Sequence, residues 1–244
     1  MYRTSDIAKK NHIHPNTVRF YERLGFISAV PRAANGYRVF DRRHLTQVRV
    51  LRCIFLDDWP GNAIRKTSMN IITAMKTWDL TAARQHTLTY KKTIETETEK
   101  ARHAIHILEQ WSDTLKIMDG EETYNRQEAS SLLGVTPEAL RNWERNDLIC
   151  IPRRGQHQTR VYGPQEMKRL KVIYLLRQAR FSMSAIHNCL VKLDAGNLRE
   201  ALKSLENPDE ETAIWTGDRW LAVLQRTASK ADEILRILNE AEKL

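Results

Sequence analysis

The stretch Thr17-Val-Arg-Phe-Tyr-Glu-Arg-Leu-Gly-Phe-Ile27 returns, altered, as Ala139-Leu-Arg-Asn-Trp-Glu-Arg-Asn-Asp-Leu-Ile149. The two lie 122 positions apart, and the ungapped match extends from Tyr2–Ile64 to Tyr124–Ile186. Identities include Pro15/Pro137, Arg19/Arg141, Glu22/Glu144, Arg38/Arg160 and Ile64/Ile186, with conservative pairs such as Tyr21/Trp143 and Phe40/Tyr162 between them. About 120 residues thus occur twice in a chain of 244. A solenoid needs at least three stacked repeats, so two long ones read as two similar domains.

Each copy carries the same local signals. Asn125 with Glu128 three residues on is a capping box that starts a short helix, and Gly134 supplies the left-handed residue that ends it. Thr136-Pro137 then caps and opens a second helix, Pro standing where no N–H is needed. His14-Pro15 does the same in the first copy, with His12 where the second has Gly134. Two short helices across a tight turn form a helix-turn-helix. A basic stretch follows and ends in Tyr37-Arg-Val-Phe40 or Thr159-Arg-Val-Tyr162, whose β-branched and aromatic residues predict a short two-stranded wing. Leu45, Val48, Leu51 and Phe55, like Met167, Leu170, Ile173 and Leu176, recur at helical spacing, and a further helix begins near Gly61 or Ser182.

Two long helices complete the plan. Residues 81–118 hold no Gly or Pro, and Ile94, Thr98, Ala101, Ile105, Leu108, Ser112 and Leu115 step by four and three. Leu221, Leu224, Ala228, Ala231, Leu235, Leu238 and Glu242 (or Ala241) do so in residues 213–244. Both are heptad seams of a coiled coil. The offset between them is 130 rather than 122, so the second copy carries an insertion near Gly196-Asn197 or Asn207-Pro208. The expected architecture is mainly α: winged helix-turn-helix heads at 1–75 and 121–192, followed by coiled-coil helices at 76–120 and 193–244.

Charge separates along the same boundaries. Residues 1–75 carry 13 Lys+Arg against 5 Asp+Glu, and residues 123–192 carry 12 against 5. Residues 76–122 hold 7 against 9, and residues 193–244 hold 7 against 11. The net +9 of the chain is therefore a diluted average of two basic heads, the electrostatic footprint of DNA binding. The second helix of such a motif offers its N-terminal residues to base edges in the major groove. These are Asn16, Thr17 and Arg19 in the first copy, and Glu138 and Arg141 in the second. Asn pairs with adenine, Arg with guanine, and Glu accepts from cytosine. Tyr21, Trp143, Arg23 and Arg145 lie further along, toward the DNA backbone. Arg32, Tyr37 and Arg38, with Arg153, Arg154 and Arg160, fall on the wing, where phosphates pass. Glu22 and Glu144 gain nothing from phosphate and read as i,i+3 surface partners of Arg19 and Arg141.

The run Thr17–Ile27 with Arg32 and Asn35-Gly-Tyr-Arg-Val-Phe40 resembles the MerR family of bacterial transcriptional regulators. Leu140–Ile149 with Arg160-Val-Tyr162 resembles a second, more divergent member. The resemblance implies winged-helix heads joined by an antiparallel coiled coil. It implies dimers that bend and untwist promoter DNA with an over-long spacer so that RNA polymerase can use it. It places Tyr21, Tyr37 and Arg38 on phosphates and Arg19 on the recognition helix. The second copy departs from it at Asp147 for Gly25 and at Gln158-Thr159 for Gly36-Tyr37. Family members that sense metal gather cysteines, whereas Cys53, Cys150 and Cys189 lie apart. No metal, other cofactor or catalytic chemistry is expected. His12 with His14, and His103 with His106, read as turn and solvated-face residues rather than ligands, and Trp111, Trp215 and Trp220 as core rather than a ligand pocket.

The two long helices are expected to pair within one chain, making a covalent pseudo-dimer, with a homodimer as the competing arrangement. An odd number of scattered cysteines, no apolar leader and no span of about 18 apolar residues point to a reducing cytoplasm, and the resemblance implies a bacterial, nucleoid-associated protein there. Two functions stay open: a promoter regulator, and an architectural or ligand-sequestering DNA-binding protein. The effector, if any, is not specified by the sequence.

Overall fold

The computed structural model describes residues 1–55, 61–114, 122–154, 156, 158–206 and 219–243. In chain order its elements are α1 (Thr4–Asn11), α2 (Pro15–Arg23), α3 (Arg42–Phe55), α4 (Gly61–Lys76), α5 (Leu80–Thr114), α6 (Arg126–Leu133), α7 (Pro137–Arg145), β1 (Arg153–Arg154), β2 (Thr159–Arg160), α8 (Pro164–Gln178), α9 (Met183–Asp194), α10 (Leu198–Glu206) and α11 (Trp220–Ala241). The fold is mainly helical, and none of the described helices is long and apolar enough to cross a membrane. The chain divides into two compact units, residues 1–96 with 224–244, and residues 97–223.

In the first unit, α1 and α2 are joined by a turn whose left-handed residue is His12, at φ 51°. A histidine is strained there, and the turn is held by Asn11, which is buried and donates from Nδ2 to Ile7 O at 2.8 Å. The second unit needs no such brace, because Gly134 takes the same place at φ 68°. His14 caps α2, its Nδ1 accepting from Asn16 N at 3.2 Å, while Thr136 caps α7 by accepting from Ala139 N at 3.2 Å. After each second helix the chain turns through another left-handed residue, Gly25 (φ 67°) or Asp147 (φ 56°).

Each unit then closes on itself by short antiparallel pairings. Tyr2 bridges Phe40 and Arg32 bridges Arg38 in the first; Tyr124 bridges Tyr162 and β1 pairs with β2 in the second. These pairings bring Phe40 and Tyr162 into the two cores. In the first core Tyr21 and Phe26 stack on Phe55, ring centroids 5.8 and 5.5 Å away. The second is built on Leu140, Trp143, Leu148 and Phe181. Each such side chain contributes roughly 1.5–3 kcal/mol by leaving water.

The helix α3 is buried over more of its circumference than one apolar stripe implies, and it includes the polar Gln47. Gln47 Oε1 accepts from Ser28 N and Oγ at 3.1 Å each, and its Nε2 donates to Met75 O at 2.7 Å. Arg169, its counterpart 122 residues on, does the same job differently. Its Nε donates to Leu148 O at 2.5 Å and its Nη1 to Asp194 at 2.6 Å.

The buried line of α5 is Ala83, Thr87, Tyr90, Ile94, Glu97, Ala101, Ala104 and Leu108, a regular four-three alternation. It corrects the expected seam by one position at two places: Glu97 is buried rather than Thr98, and Ala104 is the deeper of Ala104 and Ile105. In α11 the buried residues include Leu224, Thr227, Ala231, Ile234, Leu238 and Ala241, so Thr227 and Ile234 stand in the seam in place of Ala228 and Leu235. Leu115 of the expected seam, Trp215 and Asn207-Pro208 lie outside the described residues, as does the Trp111 side chain. Trp220 is buried.

Within the first unit α11 runs against the start of α5 and against α3. Arg84 pairs with Glu242 at 2.9 Å, Lys91 with Asp232 at 2.7 Å, and Arg49 with Glu240 at 2.7 Å. As the α5 number rises the α11 number falls, so the two segments are antiparallel. In the second unit the seam residue Glu97 pairs with Arg180 at 2.7 Å and with Lys100 at 2.9 Å. The second unit also contains α10, which packs on α9 beyond a left-handed Gly196 and has no counterpart between α4 and α5. It accounts for the change of offset along the chain.

Candidate nucleic-acid interface

Each head presents its second helix beside a paired basic segment, and one carboxylate joins the two. Glu22 of α2 accepts from Arg38 Nε at 2.5 Å and lies 3.8 Å from Arg32. Glu144 of α7 accepts from Arg160 Nε at 2.8 Å on each oxygen and lies 3.7 Å from Arg126. These carboxylates are less than a quarter exposed. This corrects their reading as i,i+3 surface partners of Arg19 and Arg141. They clamp the basic segment to the helix. A half-buried carboxylate needs an opposite charge, and the basic segment delivers one at the same place in both copies.

The first head leaves its helix face basic. Arg19 donates from Nη1 to the neutral Asn16 Oδ1 at 2.8 Å, and the Arg23 guanidinium sits over the Phe20 ring at 5.4 Å. With Glu22 turned to Arg38, no carboxylate among the described residues pairs with either arginine. Asn16, Thr17, Arg19, Phe20, Glu22, Arg23 and Arg38 line one open groove of about 820 Å³. Phe20 is exposed there; no pattern in the sequence singled it out, since Phe on a helix usually goes inward. Arg32 and Tyr37 are exposed, and Arg38 is half-buried by its clamp.

The second head differs at the helix start. Glu138 holds Arg141 Nη1 at 2.9 Å and Arg145 Nη2 at 2.8 Å. Arg153 and Arg154 are exposed on β1, with Arg153 registered against Arg160. Phe20 is replaced by Asn142, whose side chain accepts from Asn146 at 2.9 Å.

Two residues expected to contact the DNA backbone are largely buried. Tyr21 is 6% exposed and Trp143 is 5% exposed. Their rings belong to the head cores. Burial also raises the Tyr21 hydroxyl above its ordinary pKa. Among the described residues no group of three His, Cys, Asp or Glu gathers as a metal ion requires.

Comparison with known proteins follows the same division. Residues 3–40 match the family described as MerR family regulatory protein, and residues 124–192 match the MerR HTH family regulatory protein. Over 48 residues the chain is 40% identical to the HTH-type transcriptional regulator CueR of Salmonella typhi and of Salmonella typhimurium. It is 38% identical to CueR of Escherichia coli O6:H1 over the same length. These matches cover 20% of this chain and 35–36% of the relatives, so the chain spans about a third of their length. No solved structure matches. One match falls in each half, on the segments that form the two clamped heads, so the chain carries two MerR-like units.

Proposed function

We propose that the protein is a sequence-specific DNA-binding regulator of transcription whose two heads, residues 1–75 and 121–192, act as winged helix-turn-helix domains. In this reading α2 and α7 enter successive major grooves by their N-terminal turns. Asn16, Thr17 and Arg19 read bases from the first head, and Arg141 does so from the second. Arg32, Tyr37 and Arg38, with Arg153, Arg154 and Arg160, follow phosphates. The observation that carries the reading is the repeated clamp, Glu22–Arg38 and Glu144–Arg160. It fixes the angle between helix and wing in both copies, while the surface beside it has diverged. The curated relatives are transcriptional regulators by name, and the basic charge lies on the heads.

Within the segments 76–120 and 193–244, α5 and α11 are proposed to form an antiparallel coiled coil within one chain, supported by the ion pairs from Arg84 and Lys91 to α11. The protein then works in the bacterial cytoplasm as a pseudo-dimer on a non-palindromic promoter site, distorting it for RNA polymerase. Light scattering should return 28.5 kDa; twice that mass would overturn the pseudo-dimer.

The deciding experiment selects binding sites from random DNA and then measures variants on the selected site. Arg19→Ala should cost roughly 5- to 100-fold on that site and relax the preferred base. Arg38→Ala should weaken binding to all sequences alike and lower the salt slope by about 1. Unchanged affinity in both would overturn the assignment of the first head. Binding without any change in transcription from a promoter bearing the site would make the protein architectural instead.

A further inference from the structure

The second head repeats the first in its framework but not in the partners of its helix arginines. Glu138 stands in the first turn of α7, is well exposed, and binds Arg141 (i+3) and Arg145 (i+7) simultaneously. At the same place the first head has Asn16, which accepts from Arg19 alone. A carboxylate at the leading end of a helix that approaches DNA costs attraction to every phosphate, so it weakens general binding. It holds Arg141 to one side of the helix, where a bidentate guanidinium has a defined direction. It also has spare acceptor capacity, because an ionised carboxylate offers about four lone-pair sites and the two arginines use one bond on each oxygen.

Resting on the DNA-binding reading above, we propose that Glu138 is the specificity-determining residue of the second head. It accepts from the exocyclic amino group of a cytosine while orienting Arg141 toward an adjacent guanine. The second half-site is then defined by a C-G pair of contacts and the first by Asn16 and Arg19. At guanine or thymine the carboxylate meets acceptors or a methyl group, and at adenine the N7 acceptor stands beside the N6 amino group, so cytosine is the base it favours. Exposed ion pairs exchange partners at little cost, so Glu138 can trade part of its hold on Arg145 for the base.

Site selection with the full chain tests this, using wild type, Glu138→Gln and Arg141→Lys. Both positions are exposed, and melting curves verify folding. Wild type should select two unlike half-sites, with one cytosine fixed in the second. Glu138→Gln should lose that cytosine, its preference falling by roughly 5- to 100-fold, with the first half-site unchanged. Arg141→Lys keeps the charge and should lose the neighbouring guanine. If Glu138→Gln instead tightens binding equally on all sequences, Glu138 is only an electrostatic brake and the proposal fails. It fails equally if wild type shows no preference in a second half-site. In both cases, continued dependence on Arg19 would leave the regulator reading standing. Absence of any selected site with wild type would overturn that reading itself.

Discussion

The two heads satisfy the same local needs with different residues. At the first turn of the domain, strained His12 is braced by buried Asn11, where the second head uses Gly134. The loop after the second helix is tied to the last helix of the head by neutral Gln47 in one and by Arg169–Asp194 in the other. The Glu–Arg clamp, by contrast, keeps the same chemistry in both. Geometry that a neutral amide or a left-handed residue can satisfy has drifted. The clamp has not, because it needs a charge pair of fixed length at one spot. What differs on the surface, Glu138 for Asn16 and Asn142 for Phe20, changes what the helix offers to a partner and leaves the fold alone.

Breaking one core should separate the heads most sharply. Leu140 is 1% exposed under α7, and Leu140→Ala should cost about 2–5 kcal/mol. Chemical denaturation followed by limited proteolysis should show residues 122–206 opening first. Simultaneous loss of both heads would mean that the two compact units unfold as one.

A smaller effect is expected at Glu97, which gives the second unit an ion pair in its helix seam. The counterpart of Glu97 in α11, at an offset of 130, is Thr227, so the pair has no copy in the seam of the first unit. The two partners are unequal: the Glu97 side chain is 7% exposed and Arg180 is 45% exposed. Removing Arg180 takes one paired charge from a buried carboxylate, so Arg180→Ala should cost about 1–3 kcal/mol. Glu97→Leu leaves Arg180 and Lys100, both of which water can reach, and fills the seam with an apolar side chain, so it should be near neutral or stabilising. Thermal melts of both variants check the order, and equal losses would contradict it.

How much of this was readable in advance depends on the kind of residue. The Asn125–Glu128 capping box, Pro15 and Pro137, and the left-handed Gly134 are written in short windows and appear where those windows place them. The repeat itself divided the chain. The partners of Glu22 and Glu144 were not readable from helix spacing. An i,i+3 arginine was available, and the actual partner lies 16 residues away across a turn. The signal existed elsewhere, in the joint repetition of Glu22 with Arg38 as Glu144 with Arg160. Tyr21 and Trp143 look like interface residues because they sit among arginines, yet their rings are the apolar side of the helix. The seam shifted by one position at Glu97 because a periodicity count discards charged residues, and here a charged residue is inside.

Thiol chemistry gives a milder contrast. Cys53 and Cys189 are buried, and burial pushes both thiols up to about 12, with the Glu233 carboxylate adding to the rise at Cys53. A thiol reacts as its thiolate, so iodoacetamide at neutral pH should label Cys150, which is exposed, and spare the other two until denaturant is added. Mass mapping of the labelled peptides would show it, and early labelling of Cys53 would mean that α11 leaves α3 in solution.

The smallest expected difference lies at the first turn of α3 and its counterpart α8. Asp41 accepts from His44 N at 3.0 Å at one, and Glu166 reaches back to accept from Gly163 N at 2.9 Å at the other. Both satisfy an otherwise free backbone donor, but only the first places its carboxylate at the cap itself. Burial alone would raise the Asp41 pKa; the hydrogen bonds and charge of His44 outweigh it and hold the carboxyl below its ordinary 3.8. A depressed pKa means that the stabilisation is complete above the unfolded value. It is lost as pH falls through the folded one. Asp41→Asn keeps a capping oxygen and removes the titration. At pH 7 the variant should therefore melt close to wild type, while between pH 4 and 2 wild type should lose stability faster. Asp41→Ala should cost about 1 kcal/mol at neutral pH. Parallel curves for wild type and Asp41→Asn down to pH 2 would mean that the cap carries no charge-dependent share, and the two first turns would then be equivalent in energy as well as in geometry.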